Sequence, residues 1–145
     1  MKNASAFWDS SALVPLCVQE AATHSAESYL RKVVPVVWWG SAVEIHSVIC
    51  RLHREKEITD QGKQGAIARL ELLSRGWKEI LPGDQLRDLA LQLLGEYLLR
   101  AADSLQLAAA LTWCDQRPAR RNFICADPKL STAAKSIGFV VHELP

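Results

Sequence analysis

Leu98-Leu-Arg-Ala-Ala-Asp103-Ser-Leu-Gln-Leu-Ala-Ala-Ala-Leu111 is the stretch whose reading decides the fold. From Ala101 to Cys114 the one charged residue is Asp103. Leu105, Ala108 and Ala109 recur at helical spacing with Leu107 and Leu111 beside them, so the pattern predicts a helix apolar on nearly every side. A helix of that kind is normally buried. Asp103 falls near its N-terminus, where the helix dipole favours negative charge. An ionised carboxylate at the edge of a buried helix is expensive unless a cation, a donor or a metal compensates it. Asp103 is therefore either a helix-start aspartate or one of several carboxylates that meet at one place.

The flanking sequence alternates short apolar runs with helical patterns. Ser5–Trp8 reads as a buried strand ending at Asp9, followed by a short helix over Ala12–Val18 with Pro15 in its first turn. Glu20–Lys32 reads as a helix. Val33-Val-Pro-Val-Val-Trp38-Trp39 is β-branched and aromatic, stops at Gly40 and predicts the second strand. A helix follows from Ser41 to about Glu57, and Ser41-Ala-Val-Glu44 has the form of a capping box. Thr59 and Asp60 cap a further helix ending near Gly76, and Glu79–Pro82 suits a sheet edge. Asp84 opens a clearly amphipathic helix, with Leu86, Leu89, Ala90, Leu93, Leu94 and Tyr97 on one face. After the Asp103 helix and a basic loop, Asp115–Arg121, come a strand over Asn122–Ala126 and a helix from Pro128 closed by Gly138. Phe139–His142 is the last strand. This order predicts an α/β domain with a mostly parallel central sheet over residues 1–145, whose ligands bind beyond the carboxyl ends of the strands.

The totals narrow the function classes. At 145 residues the chain suits one domain with one sizeable core. A net charge of +1 gives no global basic field, so any nucleic acid must be held by a local patch. Cys17, Cys50, Cys114 and Cys125 form no metal-finger spacing and read as buried free thiols of a cytoplasmic protein. Lys2 suits the start of a signal peptide, but Asp9 interrupts the apolar run, and no stretch approaches the roughly 20 apolar residues of a membrane span.

Four carboxylates fall where such a sheet presents its ligands. Asp9 follows the first strand and Asp127 the penultimate one. Glu44 lies in the first turn after the second strand, and Asp103 in the first turn of the buried helix. Singly, Asp9 and Asp127 read as N-caps and Glu44 as a capping-box partner. Gathered together they would repel, by about 4 kcal/mol for a pair about 4 Å apart at an effective dielectric near 20. A fold that gathers them needs a cation, and hard Mg²⁺ or Mn²⁺ suits an all-oxygen set.

The segments Asp9-Ser-Ser11-Ala-Leu-Val, Glu44 opening its helix, Arg100-Ala-Ala-Asp103-Ser-Leu-Gln-Leu-Ala and Ala126-Asp127-Pro-Lys-Leu-Ser-Thr-Ala-Ala-Lys-Ser-Ile-Gly138-Phe resemble a PIN domain, most nearly the VapC-type toxin ribonucleases. The resemblance spans essentially the whole chain. It implies a three-layer α/β/α sandwich and a Mg²⁺- or Mn²⁺-dependent endoribonuclease whose metal-binding and catalytic residues are Asp9, Glu44, Asp103 and Asp127. It further implies products with 5′-phosphate and 3′-hydroxyl ends and an antitoxin partner; Leu72, Trp77, Leu81 and Leu91, in the amphipathic region from Lys63 to Tyr97, either pack in the core or form a surface for an antitoxin segment or a homodimer. Ser11 matches the family's hydroxyl position, and Arg51 and Arg100 are candidates for substrate phosphates. Gln106 stands where many members carry histidine, a change expected to alter substrate contacts. The competing reading is a PIN-like module that binds RNA or protein without turnover. A phospho-acceptor receiver domain would need a second acidic residue beside Asp9 and a lysine after the last strand, and neither is present.

Overall fold

The structure is a computed structural model that describes residues 4–145; Lys2 lies outside them. The elements are β1 (Ala4–Trp8), α1 (Ser10–Cys17), α2 (Thr23–Leu30), β2 (Val33–Trp38), α3 (Ser41–Arg54), α4 (Asp60–Ser74), β3 (Lys78–Ile80), α5 (Asp84–Glu96), α6 (Ala101–Trp113), β4 (Asn122–Cys125), α7 (Pro128–Ile137) and β5 (Val140–Glu143). The five strands form one sheet in the order β3-β2-β1-β4-β5, and every pairing is parallel. The mostly parallel α/β expectation holds.

Period-two alternation gives the sheet two buried faces. Phe7, Val36, Trp38, Phe123 and Cys125 point to one core, shared with α5, α6 and α7. Ala6, Trp8, Val37 and Ile124 point to the other, shared with α1 to α4. Helices therefore cover both faces, as a three-layer sandwich requires. In α6, Leu107, Ala108, Ala109 and Ala110 are fully buried. The small alanine side chains let the helix lie close to its neighbours.

The topology creates a crevice. From β1 the chain steps outward through β2 to β3, then returns and lays β4 on the other side of β1. At such a reversal the connections leave the carboxyl ends of β1 and β4 in opposite directions, opening the space between them. The pairing runs on to the first carboxylate, for the Asp9 amide donates to the Ile124 carbonyl at 3.0 Å.

Three local readings need correction. Helix α1 starts at Ser10, because Asp9 caps it by accepting from the Ser11 amide; Pro15 therefore lies inside the helix, not in its first turn. Helix α2 starts at Thr23 rather than Glu20, because the Thr23 hydroxyl ties up the preceding turn. It accepts from the Glu20 amide at 2.9 Å and donates to the Pro15 carbonyl at 2.7 Å. The capping box does not form: Gly40 occupies the N-cap of α3 with no side-chain bond, and the Glu44 carboxylate faces Ser10 and Gln106 instead.

Candidate active site

Each predicted carboxylate is delivered by a different element end. Asp9 follows β1 and is only 4% exposed. Its Oδ2 accepts from both the amide and the hydroxyl of Ser11. The same hydroxyl accepts from the Ala126 amide at 2.9 Å, so Ser11 joins the ends of β1 and β4. Asp127 follows β4 and caps α7, its Oδ1 accepting from the Lys129 and Leu130 amides at 2.9 and 3.3 Å. Asp103 is half-buried in the first turn of α6, and Glu44 is half-buried in the first turn of α3.

Mutual repulsion ties these groups together. Burial pushes the Asp9 carboxyl up to about 6; the bonds from Ser11 oppose that rise, and the charges of Asp103 and Asp127 add to it. Burial lifts Glu44 to about 7 against the donors Gln106 and Ser10, with Asp9 and Asp103 adding to the rise. Asp103 is raised by burial and then by Asp127, while Arg100 and Lys129 pull it down. None of the four is in an ion pair among the described residues.

Asp103 and Asp127 face each other across a cleft of about 670 Å³ bounded also by Leu98, Arg100, Pro128 and Lys129. The two cations stand at its walls and do not bridge the carboxylates. Asp9 and Glu44 do not line the cleft and are reached only through the charge coupling just described. Among the described residues, no three His, Cys, Asp or Glu side chains already converge to hold an ion. The carboxylates are thus electrostatic neighbours and not a finished cage. The donor chemistry suits a hard divalent ion: carboxylate oxygens with no lysine or arginine paired to them among the described residues. Cys125 lies beside them, but burial and the Asp9 charge push its thiol up to about 12, so it remains a thiol and offers no thiolate.

Other predicted residues fall differently. Arg100 is the exposed N-cap residue of α6 and lines the cleft. Arg51 is exposed on α3 and makes no ion pair among the described residues. Gln106 does not face substrate space: it is 1% exposed, and its Nε2 donates toward Glu44 Oε1 at 3.1 Å. Its part in the site was missed, although a long polar side chain amid the apolar run of a buried helix was a signal. The hydroxyls of Ser10 and Ser41, 2.7 and 3.1 Å from the same nitrogen, were missed as well.

No family model and no curated protein matches the sequence. Solved structures match the fold. A toxin–antitoxin complex from Klebsiella pneumoniae superposes with a TM-score of 0.63 at 16% identity, covering 86% of this chain and 88% of that one. VapBC2 from Rickettsia felis, bound to a DNA fragment from the promoter, gives 0.64 at 10% identity over 96% and 98%. FitAcB from Neisseria gonorrhoeae gives 0.63 at 13% over 94% and 96%. The chain has a PIN-like fold. At these identities the likeness is one of architecture. It extends over most of each chain in both directions.

Proposed function

We propose that this chain is a single PIN-like domain over residues 1–145 acting as a metal-dependent endoribonuclease, the toxin of a toxin–antitoxin pair. The observation that carries the reading is the set of carboxylates, Asp9, Glu44, Asp103 and Asp127, brought to one edge of the sheet with no ion-pair partner among the described residues, where burial and one another's charges raise Asp9, Glu44 and Asp103. All four would hold Mg²⁺ or Mn²⁺, Asp103 and Asp127 from the open cleft and Asp9 and Glu44 from behind it, in part through water. The ion, when bound, supplies a more acidic water and polarises the phosphoryl oxygens for phosphodiester hydrolysis.

The chain's own residues do the rest. Ser11 fixes the Asp9 carboxylate through two donors, so its oxygens keep one orientation as charge builds nearby. Arg100, at the cleft wall, meets a substrate phosphate without neutralising the acidic floor. Arg51 lies on the surface of α3, two turns beyond Glu44, and contacts the backbone of a longer RNA. An antitoxin segment would cover apolar surface left open by the fold. One such surface is the groove of about 510 Å³ between α3 and α4, beside the exposed Val43 and Leu72. The exposed Leu91 and Leu98 offer a second face for a homodimer. No helix of the described residues is long and apolar enough to cross a membrane.

One observation favours a second reading, a PIN-like module that binds RNA or protein without turnover: no ligand cage is preformed among the described residues. One experiment separates the two. Partner-free protein is incubated with structured RNA in Mg²⁺, in Mn²⁺ and in chelator. The nuclease reading expects cleavage that needs the metal and is lost in Asp103→Asn without unfolding. Equal cutting by the variant and the parent refutes the site. RNA binding with no cleavage in either metal establishes the module.

A further inference from the structure

Glu44 is held by two uncharged side chains. Ser10 donates to its Oε2 at 3.3 Å and Gln106 to its Oε1 at 3.1 Å. The Gln106 nitrogen also lies 2.7 Å from the Ser10 hydroxyl and 3.1 Å from that of Ser41. An amide nitrogen carries two hydrogens, so three acceptors crowd one donor atom. At the other end of the same amide, Oε1 is buried without a partner.

That asymmetry is informative. Every partner of the amide lies at one end, so either way round it leaves one polar atom unpaired. With the amide turned over, that atom would be the nitrogen with its two hydrogens, and a carbonyl oxygen would be set against the Glu44 carboxylate. With Nε2 toward Glu44, the carboxylate receives a donor. A lysine or arginine would also hold the carboxylate, but would cancel the charge that a cation needs.

We propose that Gln106 is a positioning residue: with Ser10 and Ser41 it locks the Glu44 carboxylate in one orientation, without adding a countercharge, for divalent metal capture at the carboxylate site. The inference rests on the metal reading above. It assigns the polar residue in α6 to the metal side of the site and not to the substrate side. Partners that orient acidic ligands in this way typically change metal affinity by about 10- to 100-fold when removed.

The test is a Mn²⁺ titration of the purified full chain, read by the electron paramagnetic resonance of the free ion, with circular dichroism and tryptophan emission reporting the fold. Gln106→Leu keeps the shape and removes the donors; Mn²⁺ binding is expected to weaken about tenfold or more. Gln106→His, which restores one N–H, is expected to recover part of that loss. In a Glu44→Gln background, Gln106→Leu is expected to change binding less than about twofold, because the residue acts through Glu44. If Gln106→Leu does not fold, Ser10→Ala, which removes the donor to Oε2, is read in its place and is expected to weaken Mn²⁺ binding about threefold. A folded Gln106→Leu that binds within twofold of the parent overturns the proposal, and so does an equal loss with and without Glu44. A parent that binds no Mn²⁺ refutes the metal reading itself, and the proposal falls with it. Metal binding and RNA cleavage by the parent, with no effect of Gln106→Leu, refutes the proposal alone.

Discussion

The buried carboxylate of Asp9 makes a stability prediction whose sign is unusual for an aspartate. A folded-state value of about 6 against 3.8 for a free carboxyl means that the folded chain holds this proton more tightly than the unfolded one. Stability is therefore full below the unfolded value and is lost as pH climbs through about 6. At 1.36 kcal/mol for each tenfold change in affinity, ionised Asp9 destabilises the metal-free fold by about 3 kcal/mol at pH 8. Asp9→Asn removes the charge. Its carbonyl oxygen can still cap α1 by accepting from the Ser11 amide, as Asp9 Oδ2 does at 3.1 Å. Some of the gain is offset because the Ser11 hydroxyl loses a charged acceptor. The net expectation is that metal-free Asp9→Asn is more stable than the parent by about 2 kcal/mol at pH 8, or about 1 M in urea midpoint, and no more stable at pH 4. Urea titrations in chelator at the two pH values measure this. Saturating Mn²⁺ should then raise the parent by about 3 kcal/mol at 100 times its dissociation constant and leave the variant nearly unmoved. A parent equally stable at both pH values, or a variant weaker than the parent at pH 8 in chelator, would show that Asp9 carries no stored electrostatic penalty.

Substitutions at two other positions test the frame that holds the carboxylates. Gly40→Ala would set a methyl group 2.5 Å from the Trp38 indole nitrogen; overpacking of this kind should cost about 1–3 kcal/mol in urea titrations, with a shifted tryptophan emission. Asp127→Asn should keep the cap on α7 and lose RNA cleavage, whereas Asp127→Ala should lose cleavage and also about 1 kcal/mol of stability; equal stability of the two variants would remove Asp127 as a cap.

Much of the fold was legible because its signals are local. The β-branched run ending at Trp38, Pro128 at the start of α7 and Gly138 at its end all act within a few residues. So does the apolar run of α6, whose burial is complete from Leu107 to Ala110. The candidate carboxylates were legible for a related reason: each lies at an element end, and parallel topology brings such ends to one edge. What the sequence hid depends on contacts between distant segments. Glu44 looked like a capping-box residue because Ser41 stands three residues before it. The actual cap is Gly40, and the Ser41 hydroxyl faces Gln106, 65 positions away. Ser10, likewise, faces Gln106 across 96 positions. No spacing rule reaches that far, so the hydroxyl and amide support of Glu44 emerges only from the packed structure.

The pairing of β1 with β4 has a consequence for biosynthesis. Asp9 leaves the ribosome early, yet the strand beside it and Asp127 emerge more than a hundred residues later. Until then β1 lacks its neighbour on that side, and the acidic corner is missing a wall. A nascent polypeptide therefore carries Asp9, Glu44 and Asp103 in an unassembled form, and the corner closes only once synthesis has passed β4.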